Sequence, residues 1–393
     1  LARPGGGCGC CCRIVMRASL FAILVLAAGL TACQPAPRSG LDFNEHLPEK
    51  LSDWHLLERK DERLTLNRGL TPYDLNSALF SDYAHKLRAI FVPSGTTIRY
   101  GAEDFDFPVG TVITKTFYYP RADGESAKGV VRVRKVLEQS EDESLDLRQV
   151  RLLETRLLIN TPRGWIAAPY VWNAAQTEAT LELAGESFSL ELVSDAGSEA
   201  FEYMVPDANQ CAGCHAVDHH QQILKPIGVK ARHLNKDYRY ARTTENQLTH
   251  WQRIGLLKDA QPAEKAPRNA QWNIASSGDL NARARAYLDI NCGHCHSARA
   301  AANTSGLLLD IYESQPAMWG VCKIPVASGR GSGTASYDIV PGAPDDSILL
   351  YRMESTEPDV AMPELGRAVV HREGVELIRQ WIASLSGSCA AVD

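Results

Sequence analysis

The chain has 393 residues, 45% hydrophobic and 22% charged, an ordinary globular composition that excludes long disorder and leaves room for two or three domains. Lysine and arginine total 41 against 47 acids, a net charge of −6 with no basic block, which argues against nucleic acid as a partner.

Arg13 and Arg17 precede an apolar run from Leu20 to Leu30 that ends in Leu30-Thr31-Ala32-Cys33. A basic start, an apolar stretch too short to span a bilayer and small residues before a cysteine read as a signal peptide over 1–32. Met16 reads as the true start, and residues 1–15 as mis-called upstream sequence. The segment resembles a bacterial lipoprotein signal, with Cys33 as the lipidated first mature residue. Gln34, in place of Asp, points to the outer membrane. A short membrane anchor and plain secretion are the competing readings. Removal of 1–32 takes away Arg3, Arg13 and Arg17 and no acid, so the net charge becomes −9, and seven of the 11 cysteines remain. Export would place them in an oxidising compartment. Residues 33–48, with two prolines before Gly40, read as a tether.

Residues 49–86 read as mixed, with short helical patches and turn signals at Thr71-Pro72 and Asn76-Ser77, and from about Arg88 to Pro206 the pattern is that of strands, which makes 49–206 a β-rich domain. Thr111 to Tyr119 is rich in β-branched and aromatic residues and stops at Pro120. Val131-Arg132-Val133-Arg134 alternates, and Val150–Asn160, Trp165–Trp172, Thr180–Leu183 and Phe188–Val193 continue the theme, separated by turns such as Pro162-Arg163-Gly164. The spacing predicts an antiparallel β-sandwich or barrel. Arg132, Arg134, Arg148, Arg151 and Arg156, in or beside these strands, read as a solvated face.

After Pro206 helix and loop take over. Asp279–Asn291 carries an apolar stripe of Leu280, Ala284, Tyr287 and Leu288, with Ser276 and Ser277 as N-cap candidates. Gly329–Gly333 looks like a phosphate loop but lacks the Gly-Lys-Ser/Thr ending and a preceding strand, so it reads as a plain loop. His371–Leu385 is a second helix with Val375, Ile378, Ile382 and Leu385 on one side.

Two pentapeptides carry the chemistry: Cys211-Ala212-Gly213-Cys214-His215 and Cys292-Gly293-His294-Cys295-His296. On a helical turn, positions i, i+3 and i+4 share a face. Two thiols can then add to the vinyl groups of one haem while the adjacent histidine reaches its iron, the attachment pattern of c-type haem. Zinc ribbons space their cysteine pairs by roughly 15–20 residues, whereas 77 residues separate these two. The expected cofactors are therefore two covalent haems c, with His215 and His296 as fifth ligands. Met362, in a polar loop and held extended by Pro363, is the expected sixth ligand of the second haem. For the first haem Met204, His233 and His250 are candidates, His219 and His220 lie too near the attachment turn, and an open iron is the alternative. Cys322 and Cys389 are left over, and in an exported protein two leftover cysteines suggest a disulfide, with free thiols as the alternative.

Residues 277–385 resemble a class I c-type cytochrome domain, in the order helix, Cys292–His296, long loop, Met362-Pro363, and the helix of Ile378-Arg379-Gln380-Trp381-Ile382. In that family the first and last helices cross, which implies contact between Tyr287 and Trp381. Asp338-Ile339-Val340-Pro341-Gly342-Ala343-Pro344 with Ser347-Ile348-Leu349 is similar to the loop before the methionine in bacterial relatives. Thr71-Pro72-Tyr73-Asp74-Leu75-Asn76, Leu79-Phe80-Ser81-Asp82-Tyr83-Ala84, Phe107-Pro108-Val109-Gly110-Thr111, Ala208-Asn209-Gln210-Cys211 and Asn246-Gln247-Leu248 resemble a family of exported diheme c-type cytochromes. The resemblance implies an N-terminal β region and a C-terminal haem region, and a parallel β-helix protein as a partner.

The expectation is thus an α+β multidomain chain. It has a β-sandwich or barrel-like domain over 49–206, a first haem-binding segment over 207–270, and an all-α, cytochrome c-like region over 277–389. The expected activity is electron transfer between redox partner proteins, basic ones being steered by the acidic surface, at the periplasmic face of the outer membrane. The alternative is a peroxidase-like or small-substrate haem enzyme with a five-coordinate first haem.

Overall fold

Where β-branched and aromatic residues crowd, strands form, and six of them hydrogen-bond in chain order into one antiparallel sheet. They are β1 (Leu70–Pro72), β2 (His85–Phe91), β3 (Val112–Pro120), β4 (Val150–Thr161), β5 (Gly164–Trp172) and β6 (Ala179–Leu181). This is a computed structural model, and it describes residues 47–101, 104–121, 130–133, 144–195 and 197–390. Cys33, the signal segment, nearly all of the tether and Arg134 lie outside the described residues. The β4–β5 hairpin closes through Pro162-Arg163: the Thr161 hydroxyl accepts from Arg163 N at 3.1 Å and donates to Gly164 O at 2.7 Å. Gly164 sits at φ +107°, a value that disfavours any side chain. A hairpin of β7 (Glu186–Ser194) and β8 (Gly197–Val205) forms a second, smaller sheet with Val130–Arg132, which runs parallel to β7.

Alternation gives the main sheet two faces. On one, Val112, Leu157, Ile159, Ala168, Tyr170 and Trp172 pack under Leu51 and Trp54 of a 3-10 turn and Leu56 and Leu64 of the N-terminal segment that follows it. Trp54 Nε1 donates to Tyr170 Oη at 2.7 Å there. On the other, Ile90, Ile113 and Leu158 pack with Val229, Leu234, Leu248, Trp251 and Ile290 from the chain beyond Pro206.

That second core corrects the expected architecture. The β-rich and cysteine-bearing parts share a core, so no separate β domain precedes an all-α haem region. Leu257–Lys258 even pairs with Ile98–Arg99 as a parallel two-stranded sheet. Between 207 and 270, strands Ala216–Asp218, Ile223–Leu224, Asp237–Tyr240 and Thr243–Asn246 alternate with the short helices α1 (Ala208–His215) and α2 (Gln247–Arg253). Among the described residues there are eighteen strands against seven α-helices, the longest of 13 residues. Helices this short cannot hold themselves together in isolation; they form because they pack on the sheet. The sheet is an open meander with β1 and β6 at its edges, and it does not close into a barrel.

The two helices expected from their stripes do form, as α3 (Leu280–Leu288) and, after α4 (Ile348–Glu354), α5 (Arg372–Ser384). Ala284, Tyr287 and Leu288 meet Val375, Ile378, Trp381 and Ile382 in a third core. The cap of α3 is Asp279, whose carboxylate accepts from Ala282 N at 2.7 Å. Ser277 bonds Gln271 instead. Tyr287 lies directly on Gly374, where a Cβ would come within 2.3 Å of its hydroxyl. No helix among the described residues is long and apolar enough to cross a membrane.

Candidate functional site

Two turns present the thiols. In α1, Asp207 and Gln210 cap the N-terminus reciprocally: Gln210 N donates to Asp207 Oδ1 at 2.8 Å, and Asp207 N to Gln210 Oε1 at 3.1 Å. This sets the helix that carries Cys211, Cys214 and His215. The second turn follows α3, where the chain widens into a π-helical turn over Asp289–Gly293. Asp289 anchors it from beneath, paired with Arg232 (Nε to Oδ2 2.9 Å) and accepting from Asn269 Nδ2 at 2.8 Å.

Both terminal histidines have one nitrogen committed. His215 Nδ1 lies 2.8 Å from Lys225 O, which can only accept, so Nδ1 carries the proton. His296 Nδ1 lies 3.1 Å from Ser305 Oγ, whose own proton goes to Ala302 O at 2.7 Å. Ser305 must therefore accept from His296. In each ring Nε2 keeps its lone pair, the tautomer a metal ligand needs. Burial pushes both histidines down to about 4, so both are neutral at pH 7; Lys115 adds to the effect at His215 and His294 at His296.

The two motifs touch. Cys295 Sγ lies 3.6 Å from Gly213 O, and the ligand atoms of Cys214, His294 and Cys295 all fall within 4.8 Å of one another. The hydrogen bond between the sulfurs pulls the Cys214 thiol down, with help from His294, and together with burial pushes that of Cys295 up. This trio could hold a soft metal ion. Burial raises Cys211, and raises Cys292 to about 12.

Cys211, Cys214, His215, Cys292 and His294 open into one cavity, roofed by the second face of the main sheet. Its volume is about 150 Å³; with the open space at its mouth counted in, the recess takes up about 1400 Å³. Its walls are largely apolar, with Leu79, Phe80, Ile113, Ile227 and Val229 among them. Met362 lines it beside Cys292 and Met353. His296 is half-buried and is not among the lining residues. Arg367 ties down the Met362 loop: its Nη2 donates to Ser355 O at 2.7 Å, Met362 O at 2.9 Å and Arg352 O at 3.2 Å. Asp82, from the β1–β2 connection, accepts at Oδ1 from Ala368 N (2.6 Å) and Val369 N (2.9 Å). Burial raises its pKa to about 6 against the pull of those two amides.

The sequence's candidates for the far side of the first haem are not in this cavity. Met204 sits on the outward face of β8, 51% exposed, because alternation along the strand turns Tyr203 and Val205 inward instead. His233 is buried 3.5 Å from Asp289, and His250 stacks on Tyr240 and bonds Glu245 at 2.7 Å. His219 and His220 pack against each other away from it. The solvated-face reading fails for Arg156, which lines the cavity with Lys115, while Arg148 does lie exposed, paired with Asp146. Gly329–Ser332 forms a tight turn against Arg352, away from the cavity lining. Cys322 and Cys389 are joined in a disulfide.

Lys115, Arg367 and His294 are residues that sequence reasoning missed. His294 stood inside the motif as a spacer, and its buried Nδ1 has no hydrogen-bond partner among the described residues. Burial, then Arg156 and Arg88, bring Lys115 down to about 7. Compared with family models, curated proteins and solved structures, the chain matches none of them.

Proposed function

We propose that this is a diheme c-type cytochrome, anchored by lipid at Cys33 and facing the periplasm, that passes electrons between protein partners. Cys211 and Cys214 would carry one haem with His215 on its iron, and Cys292 and Cys295 the other with His296. Met362 would complete the second. The observation that carries the reading is that two Cys-x-x-Cys-His turns, 77 residues apart in sequence, meet around one apolar-walled cavity. The donor set fits: each terminal histidine keeps Nε2 free by spending Nδ1 on a neighbour.

Haem iron with His and Met ligands supplies reversible one-electron chemistry at a raised potential. The chain's own residues do the rest. Lys225 O and Ser305 Oγ hold the imidazoles in one tautomer and orientation. Arg367 fixes the carbonyl of Met362 and so the loop that bears its thioether. The apolar walls exclude water. Cys214 and Cys295, one thiol from each motif, lie close enough to keep the two groups neighbours. A mature charge of −9 would steer a basic redox partner.

A pyridine-haemochrome assay with mass spectrometry of the matured protein tests this. Two covalent haems per chain are expected. A colourless protein, or one that carries only a metal ion at Cys214, His294 and Cys295, overturns it.

A second reading, a haem enzyme, is favoured by one observation: none of Met204, His233 and His250 lines the cavity on the side of His215. A first iron with an open position would bind carbon monoxide or peroxide. Low-spin spectra from both haems, unchanged by either ligand, would exclude it.

A further inference from the structure

The cavity face of the main sheet carries a row of like charges. Arg88 on β2 stands directly opposite Lys115 on β3, and Lys115 directly opposite Arg156 on β4. Facing cations on adjacent strands repel and persist only where anions answer them. Two of the three are answered. Arg88 pairs with Asp74 at 3.0 Å. Arg156 donates through Nε to Glu154 Oε2 at 2.7 Å, and fully buried Glu154 also accepts from Tyr203 at 2.7 Å. Lys115 makes no hydrogen bond or ion pair among the described residues. Its Nζ lies 5.2 Å from the centre of the Phe117 ring, a ring already approached by Lys86 at 5.5 Å and by the Arg156 guanidinium at 4.4 Å. Both Lys115 and Arg156 line the cavity beside Cys211, Cys214 and His215.

The geometry points to Lys115, backed by Arg156, as the seat for a carboxylate of the group attached at Cys211 and Cys214, that is, a propionate of the first haem. The inference rests on the two-haem reading and deepens it: the sheet becomes the first haem's electrostatic wall. Lys115 supplies the one cation of the row still lacking an anion. Glu154 already holds Arg156 in place, so Arg156 adds its field without needing to move.

The test uses the matured holoprotein and its Lys115→Met and Lys115→Arg variants, with potentials read by spectroelectrochemical titration. Loss of a positive charge beside a propionate favours the oxidised form. Lys115→Met is expected to lower the first haem's potential by about 59 mV, for an about tenfold change in a one-electron equilibrium. The second haem should stay unchanged and Lys115→Arg should restore the first. Equal potentials in wild type and Lys115→Met, with two haems present in each, overturn the inference and leave the two-haem reading standing. Absence of haem from the wild type defeats that reading itself. Should Lys115→Met fail to fold, redox-difference infrared spectra of the unaltered protein with ¹³C-labelled propionates decide the matter. An ionised, perturbed carboxylate at the first haem supports the assignment, and protonated acids alone refute it.

Discussion

Asp82 offers a sharp test of how the β region holds the Met362 loop. It and Tyr83 both adopt left-handed backbone, φ 49° and 61°, which costs a side-chain-bearing residue roughly 1–2 kcal/mol. The turn puts the Asp82 carboxylate on the amides of Ala368 and Val369, and the Tyr83 hydroxyl on Glu373 at 2.7 Å. Burial raises Asp82 from 3.8 to about 6. Between those values the folded chain keeps a proton that the unfolded chain has lost. Stability therefore falls as pH rises from about 4 to about 6, the reverse of a salt-bridged carboxylate, and then levels off. At 1.36 kcal/mol per pKa unit the ionised group costs up to about 3 kcal/mol at pH 7. Asp82→Asn keeps an oxygen that can accept from both amides, tolerates the left-handed turn and carries no charge. Urea unfolding of both proteins from pH 4 to pH 7 should show equal stability at the acid end and a variant more stable by up to about 3 kcal/mol near neutrality. A difference that stays constant with pH, or a variant weaker at pH 7, would refute the assignment of the cost to a buried charge.

Cys389→Ser opens a disulfide whose ends lie 67 residues apart, and on the chain-entropy account should lower unfolding free energy by up to about 4 kcal/mol, read by urea titration under non-reducing conditions. Gly374→Ala places a methyl 2.3 Å from the Tyr287 hydroxyl, which cannot swing away without giving up its 3.0 Å bond to His371 Nδ1. Overpacking should outweigh the better helix propensity and cost about 1–2 kcal/mol, visible as a lower Tm. Met362→Ala should lower the potential of one haem only and convert it toward high spin in electron paramagnetic resonance, with haem content unchanged; a shift in both, or in neither, counts against its role.

Strand positions were legible because alternation and β-branching are local, and β3, β4 and β5 lie within a residue or two of where the pattern puts them. The two pentapeptides were legible because their spacing is itself the chemistry. What lay beyond the sequence was the partner of each face. Periodicity says that Lys115 and Ile113 point the same way, and nothing in it says whether water or a cavity waits there. Arg156 read as solvated for that reason. Met204 failed on a matter of parity: one residue along β8 in either direction points inward. The all-α expectation failed because helical stripes were read without asking what would bury helices of only four to 13 residues.

The core that mixes Ile90, Ile113 and Leu158 with Leu234, Leu248 and Trp251 forbids treating the chain as modular. A cut at Pro206 would strip the sheet's inner side and leave both fragments sticky and insoluble. Gene fusions or deletions that respect the apparent composition boundary would fail, while grafts at surface turns such as Pro162-Arg163 would be tolerated.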